Sequence, residues 1–182
     1  CILPLSVLSS HLLNDPQDLS IRRATSTDET DRLFLVNGDG TMAVYSLLSS
    51  QNVIAPSQFT TAGSFIAVAN ELDSTYVIVK RTIDGTDNYM LELFDEDVTV
   101  DSAKTGGAAS SVTMDHLEGE EVQIIRDGIV EPTQTVPATP FTITFATAAT
   151  TSYQVGLNYD IEIKTMPAEP RLAQGTVQGV KK

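Results

Sequence analysis

The chain has 182 residues, 41% of them hydrophobic and 19% charged, enough to bury a core in one domain or two small ones and too apolar for disorder throughout. With 24 acidic against 11 basic residues the net charge is −13, which excludes a protein that grips nucleic-acid phosphates, because that needs clustered Lys and Arg. A negative wall past which DNA slides without sticking stays open.

Residues 1–8 are apolar, but they lack a basic leading stretch and Pro4 interrupts them, so they do not read as a signal peptide. The single Cys1 leaves no intramolecular disulfide, and no Cys or His cluster has the spacing of zinc or iron–sulfur ligands. The chain starts at Cys rather than Met and stops at Lys181 and Lys182, so a larger parent is expected. Residues 5–14 allow roughly one turn of helix, within a stretch that is otherwise irregular.

From residue 33 the pattern is one of short β-type segments separated by Gly, Asn, Asp and Ser. Leu33 to Val36, then Asn37-Gly38 and Asp39-Gly40, then Met42 to Leu47 read as a hairpin, since these pairs supply the positive φ of tight turns. A longer connection from Gln51 to Thr61, broken by Pro56, leads to Phe65 to Val68. A polar turn over Asn70 to Ser74 precedes Tyr76 to Val79, and Asp84-Gly85 marks the next turn. The segment after it alternates, with Tyr89, Leu91 and Leu93 on one face and Met90, Glu92 and Phe94 on the other. About five strands are therefore expected to run up and down as one antiparallel meander. The longest apolar runs fall far short of the roughly 20 residues that span a bilayer, so no transmembrane helix is expected.

At Asp95 the composition turns acidic and then small, ending in Lys104, Thr105, Gly106, Gly107, Ala108 and Ala109, which reads as a linker or long loop with a boundary near residue 105. Beyond it, Val122 to Ile125, Asp127-Gly128 and Ile129-Val130 form a second hairpin. Phe141 to Phe145, Tyr153 to Leu157 and Ile161 to Lys164 complete a small β-subdomain. The expected organisation is all-β: a meander with an irregular N-terminal segment over 1–105, a small β-sandwich or barrel over 106–165, and an extended, Pro- and Gly-rich arm over 166–182.

Few residues suggest chemistry. Asp95, Glu96, Asp97 and Asp101 have the oxygen ligands a hard cation wants, but they lack the internal Gly and closing Glu of a calcium loop and read as a solvated acidic loop. Asp115, His116 and Glu118 place two carboxylates beside an imidazole, as an acid–base site would. Neighbours on a turn usually point apart, and His116 reads as a hydrogen-bonding residue at a strand entry. His11 has no suggestive company beyond Asp15, and the basic doublets Lys80-Arg81 and Lys181-Lys182 make no patch. No nucleophile elbow or phosphate-binding loop occurs, and the Ser and Thr residues fit the polar faces of strands. No catalytic, cofactor-binding or metal-binding residue is assigned, no cofactor is called for, and the chain is not read as an enzyme.

Two stretches carry a resemblance. Met114-Asp115-His116-Leu117-Glu118-Gly119, with Arg126-Asp127-Gly128 after it, resembles the Leu-Asp-His-Leu-Glu-Gly … Asp-Gly segment of large phage structural proteins. The stretch from Val155 to Tyr159, then Glu162, Lys164 to Met166, and Gln174 to Lys182, is similar to the region C-terminal to that segment in those proteins, although Asp160 stands where Pro or Thr is usual. Upstream, Val79, Arg81, Ile83, Gly85, Tyr89, Leu91 and Glu92 look like the strand pair that precedes it.

The proteins that these stretches resemble look like tail nozzle or tail-tube-end components of tailed phages. The resemblance, over about residues 33–182, implies a β-propeller-like platform in which the meander resembles one blade, with cyclic homo-oligomers, commonly hexamers. It also implies portal and adaptor proteins as partners, DNA only as cargo through a channel, no membrane insertion by this segment, and a place in the virion tail after assembly in the bacterial cytoplasm. It brings no catalytic residues. Two readings stand beside it: a virion-surface β-sandwich that recognises a host receptor or glycan, and a hydrolase using paired carboxylates about 5–10 Å apart. The absence of Trp and the core-like alternation of most tyrosines count against the first, and for the second some carboxylate pair qualifies by chance among so many acidic residues, so it needs a pair that shares a concave pocket with one raised pKa.

Overall fold

The computed structural model describes residues 9–26, 29–48, 51, 53–163, 171–172 and 175–176. The fold is all-β and built of antiparallel sheets, with no closed barrel among the described residues. The first sheet is a four-stranded meander of β1 (Pro16–Arg22), β2 (Asp31–Asn37), β3 (Met42–Leu48) and β4 (Val53–Phe59), in that spatial order. The second is a three-stranded meander of β5 (Ser64–Glu71), β6 (Ser74–Ile83) and β7 (Thr86–Phe94). The single five-strand meander expected from sequence is thus two sheets.

β1 lies in the segment expected to be irregular, and β4 occupies the stretch expected to be a connection. Both run at sheet edges, which explains their polar composition: β1 carries only Leu19 and Ile21 as large apolar residues, and Pro56 of β4 is tolerated because an edge strand can spare its amide. Upstream of β1, Ser10–Leu12 forms a single 3-10 turn, and the rest of the expected N-terminal helix, residues 5–8, lies outside the described residues.

The two sheets pack face to face. Phe34, Val36, Met42 and Val44 meet Phe65, Val68, Val77 and Val79, all buried, because alternate residues of a strand share one face. Phe94 closes this core, with its ring 5.7 Å from Phe59 and 6.3 Å from both Phe34 and Phe65. The turn between β2 and β3 is fixed by buried Asn37, whose side chain donates to Leu12 O and Thr41 Oγ1, both at 2.9 Å, while Asn14 N donates to its Oδ1.

The second half of the chain is another sandwich. β8 (Asp101–Gly106), β10 (Glu121–Arg126), β11 (Ile129–Thr135) and β13 (Tyr153–Leu157) form a sheet in the order β11-β10-β13-β8, and β9 (Ala109–Thr113) pairs with β12 (Thr142–Ala149). Of the two forms expected, this is the sandwich. Its core contains Met114, Leu117, Val122, Ile124, Val136, Ile143, Phe145 and Val155. The stretch expected to be a linker holds β8 and the start of β9, so residue 105 falls inside a strand. β8 and β13 approach closely at two glycines: a Cβ on Gly156 would lie 2.4 Å from Asp101 O, and one on Gly106 2.6 Å from the Tyr153 hydroxyl.

The expected strand at Ile161 to Lys164 does not form. Residues 158–163 carry no strand pairing, and Lys164 lies outside the described residues. So does the arm from 166 onward, apart from β14 (Arg171–Leu172) and β15 (Gly175–Thr176), which pair antiparallel.

The β6–β7 hairpin joins the two halves. Its turn has positive φ at both Asp84 (46°) and Gly85 (71°), the geometry whose twist matches the strands it links. Val77 and Val79 sit in the first core, whereas Ile83 and Met90, near the tip, sit in the second. Between them lies Arg81, fully buried. Its Nε and Nη2 donate to the two oxygens of Glu92 at 2.9 Å each, Nη2 also reaches Asp101 Oδ1 at 2.9 Å, and Nη1 donates to Ala62 O at 2.9 Å. Burial alone would push the guanidinium pKa down, and the bonds and charges of Glu92 and Asp101 outweigh that, raising it. Asp101 extends the network by accepting from Thr61 Oγ1 at 2.6 Å.

A second latch holds the far end. The turn between β10 and β11 has Asp127 at φ 50° and Gly128 at φ 76°. The Asp127 carboxylate accepts from the backbone amides of Thr150, Thr151 and Ser152 and from both threonine hydroxyls, at 2.7–3.2 Å. Those bonds hold its pKa far below the usual carboxylate range.

Each latch can be tested by substitution. Arg81→Ala strands two carboxylates at the junction and should lower the unfolding free energy by roughly 3–5 kcal/mol in urea titrations. A loss under about 1 kcal/mol would show that the network does not join the halves. For Asp127, the folded pKa is depressed, so its stabilising effect is present above the unfolded value and lost as pH falls through the folded one. The Tm advantage of the wild type over Asp127→Asn should be full above about pH 4 and shrink steadily on further acidification. A difference in Tm that does not change with pH would refute the latch.

Candidate interaction surface

The residues singled out for chemistry do not assemble into a site. Glu96 accepts from Arg32 Nη1 at 2.6 Å and lies 3.5 Å from Arg22 Nη2, Asp95 caps the amide of Asp97 at 2.9 Å, and Asp101 belongs to Arg81. Arg22 and Arg32 come from β1 and β2, so Glu96 pins the loop after β7 back onto the first sheet. Among the described residues no group of three or more His, Cys, Asp or Glu could hold a metal ion.

His116 donates from Nε2 to Ser102 O at 3.0 Å, and its Nδ1 is 3.9 Å from Asp115 Oδ1. Asp115 is held by Lys104 Nζ at 2.9 Å, which keeps its carboxyl below the ordinary range. Glu118 makes no bond to His116 among the described residues. The three residues form the 3-10 turn Asp115–Leu117 and its exit, whose buried member is Leu117, and their role is to seat that side chain in the second core. His11 is exposed on its own 3-10 turn. Of the basic doublet, Arg81 is the buried junction, whereas Lys80 pairs at 2.7 Å with Asp87 on the outer face of the sheet. That bond raises the Lys80 pKa and lowers that of Asp87. An open groove of about 370 Å³ beside the β2–β3 turn is lined by Gln17, Asn37, Asp39, Ser64, Phe65 and Lys80 among others, with Asp39 bonded to Thr41 and Lys80 to Asp87.

What the fold does present is apolar surface. The outer face of the β5-β6-β7 sheet carries Tyr76, Ile78, Tyr89, Leu91 and Leu93, brought together by the register Tyr76↔Leu93, Ile78↔Leu91 and Lys80↔Tyr89. Leu91 is 73% exposed and Tyr89 66%. The alternation over 89–94 is legible in the sequence, but both of its faces are apolar, and the packing of Phe94 and Met90 inward is what leaves Tyr89, Leu91 and Leu93 in solvent. A contiguous patch of this kind on a folded chain marks an interaction surface more often than an accident. Of the tyrosines, Tyr45 is buried under Ser9, whose Oγ is 3.1 Å from its hydroxyl, Tyr153 packs on the second core, and Tyr89 and Tyr159 are exposed.

The sheet edges differ. At β5, the amide of Val68 donates to Asp18 Oδ2 at 2.9 Å and that of Phe65 to Gly40 O at 2.9 Å, so that edge is closed. The edges at β4 and β11 carry Pro56 and Pro132. β7 has neither device: its nine residues contain no Pro, and no strand pairs with its outer side among the described residues.

Among the described residues no helix is long and apolar enough to cross a membrane. Leu91→Ser and Leu93→Ser should each change the unfolding free energy by no more than about 0.5 kcal/mol while reducing the binding of an apolar dye. A larger loss of stability would mean that the face packs within the chain. No protein-family model matches the chain, and no curated protein matches it.

Proposed function

We propose that this chain is a virion structural protein of a tailed phage, part of the tail nozzle, whose work is subunit contact and channel lining rather than chemistry. The observation that carries this reading is the exposed apolar face of the β5-β6-β7 sheet beside an unprotected strand edge, on a chain whose acidic and histidine clusters are spent on structural bonds. The resemblance of Met114 to Gly128 and of Val155 to Tyr159 to phage structural proteins supplies the setting. Two up-and-down sheets packed face to face also suit neighbouring blades of a propeller-like platform.

The net charge of −13 suits a conduit. A negative lumen repels the phosphate backbone and gives passing DNA nothing to bind. The partners in this reading are further copies of the chain in a ring and the portal and adaptor proteins above it, within a virion tail assembled in the bacterial cytoplasm. Membrane insertion by this segment has no part in it. A receptor- or glycan-binding module is the alternative, favoured by the exposed Tyr89 ring with Asp87 on the same strand face, since sugars stack on aromatic rings beside carboxylates.

Light scattering on the chain alone and with portal and adaptor proteins tests the proposal. The expected result is a mass several times that of the monomer, alone or on meeting a partner, growing with salt as like-charge repulsion is screened, together with no retention of DNA at about 0.15 M salt. A monomer indifferent to those partners would overturn it, and saturable hits on a glycan array would favour the alternative.

A further inference from the structure

The segment after β13 has a strand's sequence and no strand to pair with. Tyr159, Ile161 and Ile163 alternate with Asp160 and Glu162, and Ile161 and Ile163 are 74% and 82% exposed. Alternation of this kind forms a β-strand when one face can be buried, yet residues 158–163 are unpaired. On the same chain, β7 offers an open edge with Tyr89, Leu91 and Leu93 alternating on the outer face. The β5-β6-β7 sheet has three strands where the β1–β4 sheet has four, so the vacant position is the one beside β7.

We propose that residues 159–163 of one copy add as a fourth strand to the β7 edge of a second copy, by main-chain hydrogen bonding of the β-augmentation type. Tyr159, Ile161 and Ile163 then continue the apolar row of Tyr89, Leu91 and Leu93 as cross-strand neighbours, and Asp160 and Glu162 turn to the other face. The edges at β4, β11 and β5 are poor acceptors, since Pro56 and Pro132 interrupt the first two and Asp18 and Gly40 cap the third. A contact of six large side chains and five residues of backbone covers on the order of 1,000 Å², about what a specific interface needs. Each copy makes the contact twice, once as donor and once as acceptor. Donor and acceptor surfaces differ, so the contact is heterologous and can close a pair by exchange or a ring. The inference deepens the proposed assembly role by naming its contact, and it rests on the same self-association.

Cysteine trapping in the full chain, in a Cys1→Ser background, tests it. Chains bearing Leu91→Cys alone and Ile161→Cys alone are mixed and oxidised with diamide, after circular dichroism has established that each is folded. The expected result is a covalent dimer of twice the 19.6 kDa chain mass, at least five-fold above the yield from Leu91→Cys mixed with Ile129→Cys on the exposed part of β11. Ile161→Asp should likewise reduce the associated fraction seen by light scattering several-fold without lowering Tm. No mixed dimer above the control overturns the inference. An intramolecular disulfide in the Leu91→Cys/Ile161→Cys double variant without any mixed dimer also overturns it, since the occupant is then the chain's own segment. Oligomers that persist in Ile161→Asp and give no trap overturn this contact while leaving the nozzle reading in place, whereas a wild-type chain that never associates removes both.

Discussion

The architecture depends on one buried cation. Arg81 sits where two sandwiches meet, its guanidinium spent on Glu92 of the same hairpin, Asp101 at the start of β8, and the Ala62 carbonyl in the crossover between the first two sheets. A charge removed from water is costly unless every donor finds an acceptor, and here the acceptors come from three separate parts of the chain. Sliding or rotating the two cores about the β6–β7 hairpin would break the bonds to Asp101 and Ala62 and leave the charge to Glu92 alone. The hairpin in turn feeds Val77 and Val79 to one core and Ile83 and Met90 to the other, so apolar burial and the ionic network enforce the same arrangement.

That rigidity has a consequence at the surface. Because Met90, Glu92 and Phe94 are committed inward, Tyr89, Leu91 and Leu93 must point outward, whatever the cost in exposed apolar area. The edges at β4 and β11 carry proline and that at β5 is capped by a side chain and a carbonyl, whereas β7 has neither device. An open edge bounded by an apolar row invites association, and a chain of −13 charge that keeps its carboxylates in solvent or in local ion pairs limits that association to surfaces where contact outweighs repulsion. Structure and charge together suit assembly better than catalysis.

Much of this was legible in the sequence. Turn chemistry was the strongest signal: Asp84-Gly85 and Asp127-Gly128 both mark hairpin turns with positive φ at two successive residues. The apolar runs at 33–36 and 122–125 fall in strands whose alternate residues are core, so they were found as well. Edge strands were not. β1 and β4 carry few buried residues, and Pro56 argues against a strand until its edge position is known. The division of seven strands into two sheets also escaped, because the connection from Phe59 to Ser64 looks like any other turn and only packing shows that the chain has crossed to an opposing layer. At 161–163 the reverse occurred, since alternation promised a strand and no strand pairs with these residues among the described ones. For the functional surface, the sequence supplied the alternation of residues 89–94 but not which of its two apolar faces meets solvent.

The central claim is that the open β7 edge is where copies of this chain meet, and hydrogen–deuterium exchange across a concentration series tests it most directly. The amides of 86–94 that point away from β6 should exchange rapidly in dilute protein and become protected as concentration rises, in step with the mass in solution, while those bonded to β6 and the capped amides of Phe65 and Val68 stay unchanged throughout. If the mass rises and the β7 amides keep their dilute-protein exchange rates, the chain assembles through another surface and the account of this edge is wrong.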